Sequence, residues 1–471
     1  MLGFETVGNA TVIAHDGMPV IATDPWLGEP AYFGSWGLPF EIPEEQLNSI
    51  EKAEFIWLSH GHPDHLNPDA IEKLHGRKIL LPDHVGNRIR DDLREGGFDV
   101  TVLPNDEWVQ LSDRIRVLCL SDYFQDAVLL IDVAGTLLVN LNDATDRGWG
   151  RRVRKLVRQA DRSFLLKLFG YGDVDMMNFV DEAGNSITPE SVRKRPIGPQ
   201  IAFFARLYGT TDIVPFSCFH RYQRTDSLWT NAHTTPLEVF YDGFHETDMV
   251  LHPAFIRFDA ETGKITELNP AETPEVVYEP EEFGDDWSEP FRDDDVAKVG
   301  AYFQRIEALQ TNIDFVRFIV GGEETLVDIS GRKTGRGVTF ETPRHSLMTA
   351  IDYEIFDDLL IGNFMKTQLH GNWESQSLHP NFTPYVAKFA DNGRAKSKEE
   401  LRAYFRDYRK RAPMAYLSHV LERERTTRSQ PYPGRFSSVP TRQENLSFPE
   451  TGLAGQRNSR VVRREIPSAP G

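Results

Sequence analysis

His60, His62, Asp64 and His65 fall within six residues, in the run His60-Gly61-His62-Pro63-Asp64-His65. Three imidazoles and a carboxylate at this spacing have little structural use, because packed together without a metal they are poorly matched and partly charged. Alternate residues His60 and His62 can face one ion while Asp64 and His65 turn toward a second. The loop therefore suits a dinuclear centre in which one bridging oxygen serves both ions.

The elements around the loop are those needed to hold it. The apolar run Phe55-Ile56-Trp57-Leu58 reads as a buried strand leading into the ligands. Asn67-Pro68-Asp69 then opens a helix with a capping residue and Pro at its first position. Upstream, Thr11–His15 and Val20–Thr23 flank Asp16-Gly17, a hairpin signal. Downstream, strands are expected at Lys78–Leu81, Val100–Val102, Ile115–Leu120, Ala127–Val133 and Thr136–Leu141, with a charged helix near Val85–Glu95. Alternating strands and helices to about residue 268 predict an α/β catalytic domain.

With 471 residues, the chain exceeds what one ordinary core supports, so two folded units are expected. Residues 269–295 turn acidic and Pro-rich and read as a solvated linker. Residues 296–422 read as a smaller C-terminal α+β domain, with a hairpin at Gly321-Gly322 and one helix carrying Leu347, Ile351, Ile355 and Leu359 at four-residue intervals. Residues 423–471, rich in Arg, Ser, Pro and Gln, read as a disordered tail.

The formal net charge of −19 argues against a nucleic-acid or anionic-membrane partner, which needs a basic face. Two cysteines, Cys119 and Cys218, are too few for a disulfide framework, a Cys-based zinc site or an iron–sulfur cluster. No signal peptide and no window of roughly 20 apolar residues is visible, so a cytoplasmic protein is expected.

The His-x-His-x-Asp-His run after an apolar strand resembles the signature of the metallo-β-lactamase superfamily, which implies an αββα sandwich. In that fold the remaining ligands come, in chain order, from a third His, a bridging Asp and a last His at strand ends. Asp143 matches the bridging Asp, and Asp64 and Asp143 are then the carboxylates placed for catalysis. For the last His, His220 after Ile213–Phe216 is preferred to His233 in a polar loop. The third His is missing: His84 comes too early, and Asp122 holds the position after Ile115–Leu120. Two histidines and a carboxylate with open positions form a ligand set suited to non-haem iron.

Two narrower resemblances agree. Asp24-Pro25-Trp26-Leu27-Gly28-Glu29-Pro30-Ala31-Tyr32, the His cluster, the Asp143 strand, Pro215-Phe216 and Thr342–Gly362 resemble the catalytic region of the cytidine-monophosphate-N-acetylneuraminate hydroxylase family. The carboxylate in place of the third His is similar to the di-iron β-hydroxylase of chloramphenicol biosynthesis, where that carboxylate is a Glu. The first family carries an N-terminal Rieske domain, whose Cys-x-His and Cys-x-x-His pattern is absent here, so a separate electron donor is implied. The expectation is a di-iron oxygenase of hydroxylase type, acting on a polar anionic small molecule such as a nucleotide sugar or an amino acid, free or carrier-bound. The rival is a dinuclear zinc or manganese hydrolase of a phosphoester, ester or amide. Asp24 is expected to support a ligand His by a hydrogen bond, and Arg221 and Arg224 to meet the substrate's anionic group.

Overall fold

The first strand, Leu2–Val7, pairs antiparallel on one side with Thr11–Asp16 and on the other with Ile256–Asp259. Gly3 permits that second pairing: a Cβ there would lie 1.9 Å from the Phe258 carbonyl oxygen. The hairpin at Asp16-Gly17 forms as expected, joining Thr11–Asp16 to Met18–Thr23. Parallel strands Phe55–Trp57, Lys78–Leu81 and Asp99–Val102 continue this eight-stranded sheet. A second sheet of seven strands takes Ile115–Ser121, Ala127–Val133, Thr136–Asn142, Arg162–Leu168 and Asp212–Phe216 as its main members. The computed structural model describes residues 1–170, 176–189, 192–246, 248–329, 333–373 and 376–411, together with Pro413 and Leu417.

The two sheets pack face to face. Phe4, Val12, Ile21, Trp57 and Leu80 of the first meet Val117, Leu129, Leu138, Phe164 and Phe216 of the second in one buried layer. Phe4 sits edge-on to Phe164 at a centroid distance of 5.0 Å. Each such side chain contributes about 1.5–3 kcal/mol on leaving water, so the sandwich does not depend on its loops for cohesion. Ile50, Ile71, Leu74 and Leu93, from helices and their flanks, cover the outer face of the first sheet. Helices Gly150–Val157 and Gly198–Tyr208 cover that of the second. The layers are thus helix, sheet, sheet, helix.

A third sheet has the order Ser186–Ile187, Phe179–Val180, Lys366–His370, Gly337–Glu341, Phe315–Val320, Glu323–Asp328. The hairpin at Gly321-Gly322 is present, with Val320 opposite Glu323. Three expectations about this half need correction. The first two strands of this sheet come from within residues 1–268, so the sheets do not divide at 268, and the described residues through Arg411 belong to one compact unit. Segment 269–295 is docked, because Asp285 is fully buried on Arg224 and Ser346. The single helix through Leu347 and Leu359 is two, Arg344–Asp352 and Phe356–Gly362, broken where Glu354 takes a left-handed backbone (φ 56°). The tail at 423–471 lies outside the described residues. No described helix is long and apolar enough to cross a membrane.

Candidate metal centre

Strand ends from both sheets meet at one edge of the sandwich, and three of them turn through left-handed residues. Asp24 follows Met18–Thr23 (φ 40°), Asn142 closes Thr136–Asn142 (φ 38°), and Ser217 follows Asp212–Phe216 (φ 56°). Non-glycine residues in this region carry strain that a surrounding structure must hold, and they cluster at functional sites. Here the turns are tied down. The Asn142 side chain accepts from the Asp143 amide at 2.6 Å, and Asp24 accepts from the Ser59 amide at 2.7 Å.

The His-rich loop leaves Phe55–Trp57 and is capped at its far end by Asn67, whose side chain accepts from the Asp69 and Ala70 amides. His60 Nε2 lies 3.0 Å from His62 Nδ1 and 3.9 Å from Asp143 Oδ2. His65 Nε2 lies 3.3 Å from Asp64 Oδ2 and 3.4 Å from Asp143 Oδ2. Asp143 Oδ2 is therefore the atom shared by the two groupings. Asn9 donates to Asp64 Oδ2 at 2.9 Å and Tyr32 to Asp64 Oδ1 at 2.5 Å, which fixes that carboxylate. Ser217 donates to Asp143 Oδ1. His220 stacks on Trp36 at 3.5 Å with the rings nearly parallel.

Do these groups fit a metal? His65 Nδ1 faces Asp24 at 3.3 Å. If the proton sits there, the Nε2 lone pair points at two carboxylates and needs a positive centre between them. Without one, His65 must hold a second proton: burial lowers its pKa, but Asp64, Asp143 and Asp24 raise it well above the usual imidazole range. Burial likewise raises Asp143, yet the charge and hydrogen bond of His65 outweigh it and bring the carboxyl down to about 2. Half-buried His220 is lowered by desolvation to about 4 against the pull of Asp64 and Asp143, and its buried Nε2 has no hydrogen-bond partner. A neutral imidazole with an orphaned, buried nitrogen beside two carboxylates is what a metal ligand looks like before loading.

Asp24, His60, His62, Asp64, His65, Asp143 and His220 are thus brought together. His233 is not among them; it is partly exposed at the end of Leu228–His233, near the Lys194 charge. Buried His84 faces the Tyr408 hydroxyl at 3.2 Å. Asp122 Oδ1 accepts from the Phe124 amide at 2.8 Å, while its buried Oδ2 faces the Arg147 guanidinium at 3.7 Å without a hydrogen bond. Nor do the guanidiniums of Arg221 and Arg224 face a substrate. Arg221 holds the Thr273 and Pro274 carbonyls, and fully buried Arg224 is bonded to Phe33, Asp226 and Asp285. Sequence reasoning missed Asp357 and Asp358, which lie with His62 in a second His–carboxylate group. Their only sequence signal was membership of the Thr342–Gly362 segment.

Asp122 yields a direct prediction. Burial and then the neighbouring Asp126 push its carboxyl up to about 7, against Arg147. A folded-state pKa above the unfolded value favours the native state fully below about pH 4 and less as pH rises toward 7. Asp122→Asn, which keeps the acceptor and removes the charge, should gain stability relative to wild type across that window with unchanged metal content. Urea melts at pH 4.5 and 7.5 beside metal analysis will check this; loss of metal would return Asp122 to the centre.

Helix–sheet–sheet–helix layers, a His-x-His-x-Asp-His loop after a strand, and Asp143 and His220 at or just beyond ends of second-sheet strands decide the architecture. The chain has the metallo-β-lactamase fold. No family model matches this metallo-β-lactamase-fold chain. It is 32% identical over 142 residues to the inactive cytidine monophosphate-N-acetylneuraminic acid hydroxylase of Homo sapiens, covering 28% of each protein. The hydroxylase of that name from Danio rerio is 30% identical over 137 residues, covering 27% of this chain and 23% of the relative. The chain thus spans about a quarter of the length of the curated relatives it matches. Among solved structures, the di-iron β-hydroxylase CmlA from Streptomyces venezuelae aligns over 51% of this chain and 49% of its own, at 16% identity and TM-score 0.33. An isothiocyanate hydrolase from Delia radicum gut bacteria aligns over 57% and 99%, at 14% identity and TM-score 0.35. Likenesses this distant do not choose between oxygenase and hydrolase.

Proposed function

We propose that the chain is a non-haem di-iron oxygenase of hydroxylase type acting on a polar anionic small molecule, such as a nucleotide sugar or an amino acid, free or carrier-bound. The observation that carries this reading is the 32% identity over 142 residues to hydroxylases not named as inactive, in a chain whose histidines and carboxylates converge as described. His60, His62 and Asp143 would hold one ion, and His65, His220, Asp64 and Asp143 the other. Bound iron would supply the redox chemistry with dioxygen, drawing electrons from a separate donor. The chain's own groups orient the ligands. Tyr32 and Asn9 hold Asp64, Asp24 and Ser59 hold the His loop, and the stacked Trp36 ring fixes the plane of His220. With Arg221 and Arg224 engaged elsewhere, Lys388 is the cation proposed to meet the anionic substrate. Its ammonium lies 3.9 Å from Asp126, beyond hydrogen-bond reach, whereas Arg224 is hydrogen-bonded to Asp226 and Asp285.

Metal analysis with a Mössbauer spectrum tests the reading on protein purified without added metal. About two irons per chain, with oxygen consumed on adding a reductant, is the expected result. Two zinc or manganese ions with no oxygen uptake would establish the hydrolase instead, because a mixed nitrogen–oxygen ligand set also suits those metals.

A further inference from the structure

We infer that Asp357 decides which ring nitrogen His62 offers to the metal, so that the helix Phe356–Gly362 is a working part of the centre. This rests on the metal-centre reading above. The two nitrogens of His62 face opposite ways: Nδ1 lies 3.0 Å from His60 Nε2, among the ligand atoms, and Nε2 lies 3.1 Å from Asp357 Oδ2. A carboxylate cannot donate, so the proton belongs on Nε2 and the Nδ1 lone pair is left for the ion. Asp24 does the reverse for His65, taking the Nδ1 side and leaving Nε2 toward Asp64 and Asp143. Two buried carboxylates, more than 300 residues apart, thus select opposite nitrogens on neighbouring histidines.

Asp357 is well placed to be a fixed partner. It is 4% exposed, and its helix is anchored at both ends. Before it, Arg88 donates to the Glu354 carbonyl at 2.5 Å. After it, Ser35 donates to the Gly362 carbonyl at 2.6 Å, and the Asn363 side chain bridges the Met177 amide and the Tyr222 hydroxyl. A carboxylate held against the far nitrogen of a ligand histidine sets ring orientation and raises basicity, and its loss costs about 10–100-fold in metal affinity. Asp357 is a positioning residue by this account.

The experiment uses full-length protein loaded with zinc alone. In a long-range proton–nitrogen spectrum of histidine-labelled protein, His62 should be metallated at Nδ1 and protonated at Nε2. Chelator competition should show one zinc held about 10–100-fold more weakly in Asp357→Ala, and less weakened in Asp357→Asn, which can still accept the proton. Circular dichroism should be unchanged; should the Ala variant fail to fold, the Asn variant and the wild-type spectrum decide. Zinc ligated at His62 Nε2 would make Asp357 a direct ligand and overturn the proposal. Wild-type affinity in Asp357→Ala, beside loss of zinc in His60→Ala, would overturn it while leaving the centre intact. Full zinc binding by His60→Ala would remove the centre itself, and this inference with it.

Discussion

His60→Ala will leave the protein folded and strip it of most of its metal and all of its turnover. His60 is buried, and burial first, then the charges of His65 and His62, hold its pKa well below the usual imidazole range. It is therefore a neutral ligand in waiting, and removing it costs the metal-free fold little beyond a small cavity. The layers beneath keep their own cores, none of which includes the loop histidines. The metal-bound form loses much more. A ligand present at 100 to 1,000 times its dissociation constant stabilises the native state by about 2.7–4.1 kcal/mol. Wild type should therefore melt at a lower temperature after chelation, and His60→Ala should melt where chelated wild type does, with or without added metal. Equal metal content and turnover in the variant would place the site elsewhere.

Arg224→Met will be the most destabilising single change away from the ligands, by about 3–5 kcal/mol. The guanidinium is fully buried over the Phe364 ring at 4.0 Å, with Nε and Nη2 on the Asp226 carboxylate at 3.0 and 2.8 Å. Nη1 reaches Asp285 at 2.9 Å and the Phe33 carbonyl at 2.8 Å. Removing the cation strands Asp285, itself fully buried, with only Ser346 as donor among the described residues. The loss should appear as a lower denaturant midpoint at unchanged slope. Adding Asp285→Asn should recover much of it, because the cost lies in the uncompensated charge rather than in lost packing. A single variant within about 0.5 kcal/mol of wild type, the range of ordinary surface changes, would show that this ion pair contributes little.

These residues also show what a sequence can and cannot disclose. His60, His62, Asp64 and His65 were legible because ligands six residues apart on one loop are close however the rest folds. Asp143 and His220 came from the resemblance to the metallo-β-lactamase superfamily, which directs attention to the ends of particular strands. Arg224 was misread for a physical reason: sequence gives a charge but not its partner. Asp285, in an acidic stretch, had every sign of being solvated. Asp357 and Asp358 look like the ordinary acidic first turn of a helix, and nothing local ties them to a histidine 295 residues earlier. The same limit hid the pairing of Phe179–Val180 with Lys366–His370, since two-residue strands have too little pattern to declare a partner.

The hydrogen bond from His62 to Asp357 also has a history in time. A ribosome adds about 5–20 residues each second, so for roughly 15–60 seconds the emerging histidine loop exists before the carboxylate that grips it has been made. Any ion captured in that interval binds a half-built shell in which His62 is free to present either nitrogen. On the proposal above, selection of the right metal awaits emergence of Asp357, and an excess of a tightly binding metal during synthesis is the circumstance most apt to fill the centre wrongly.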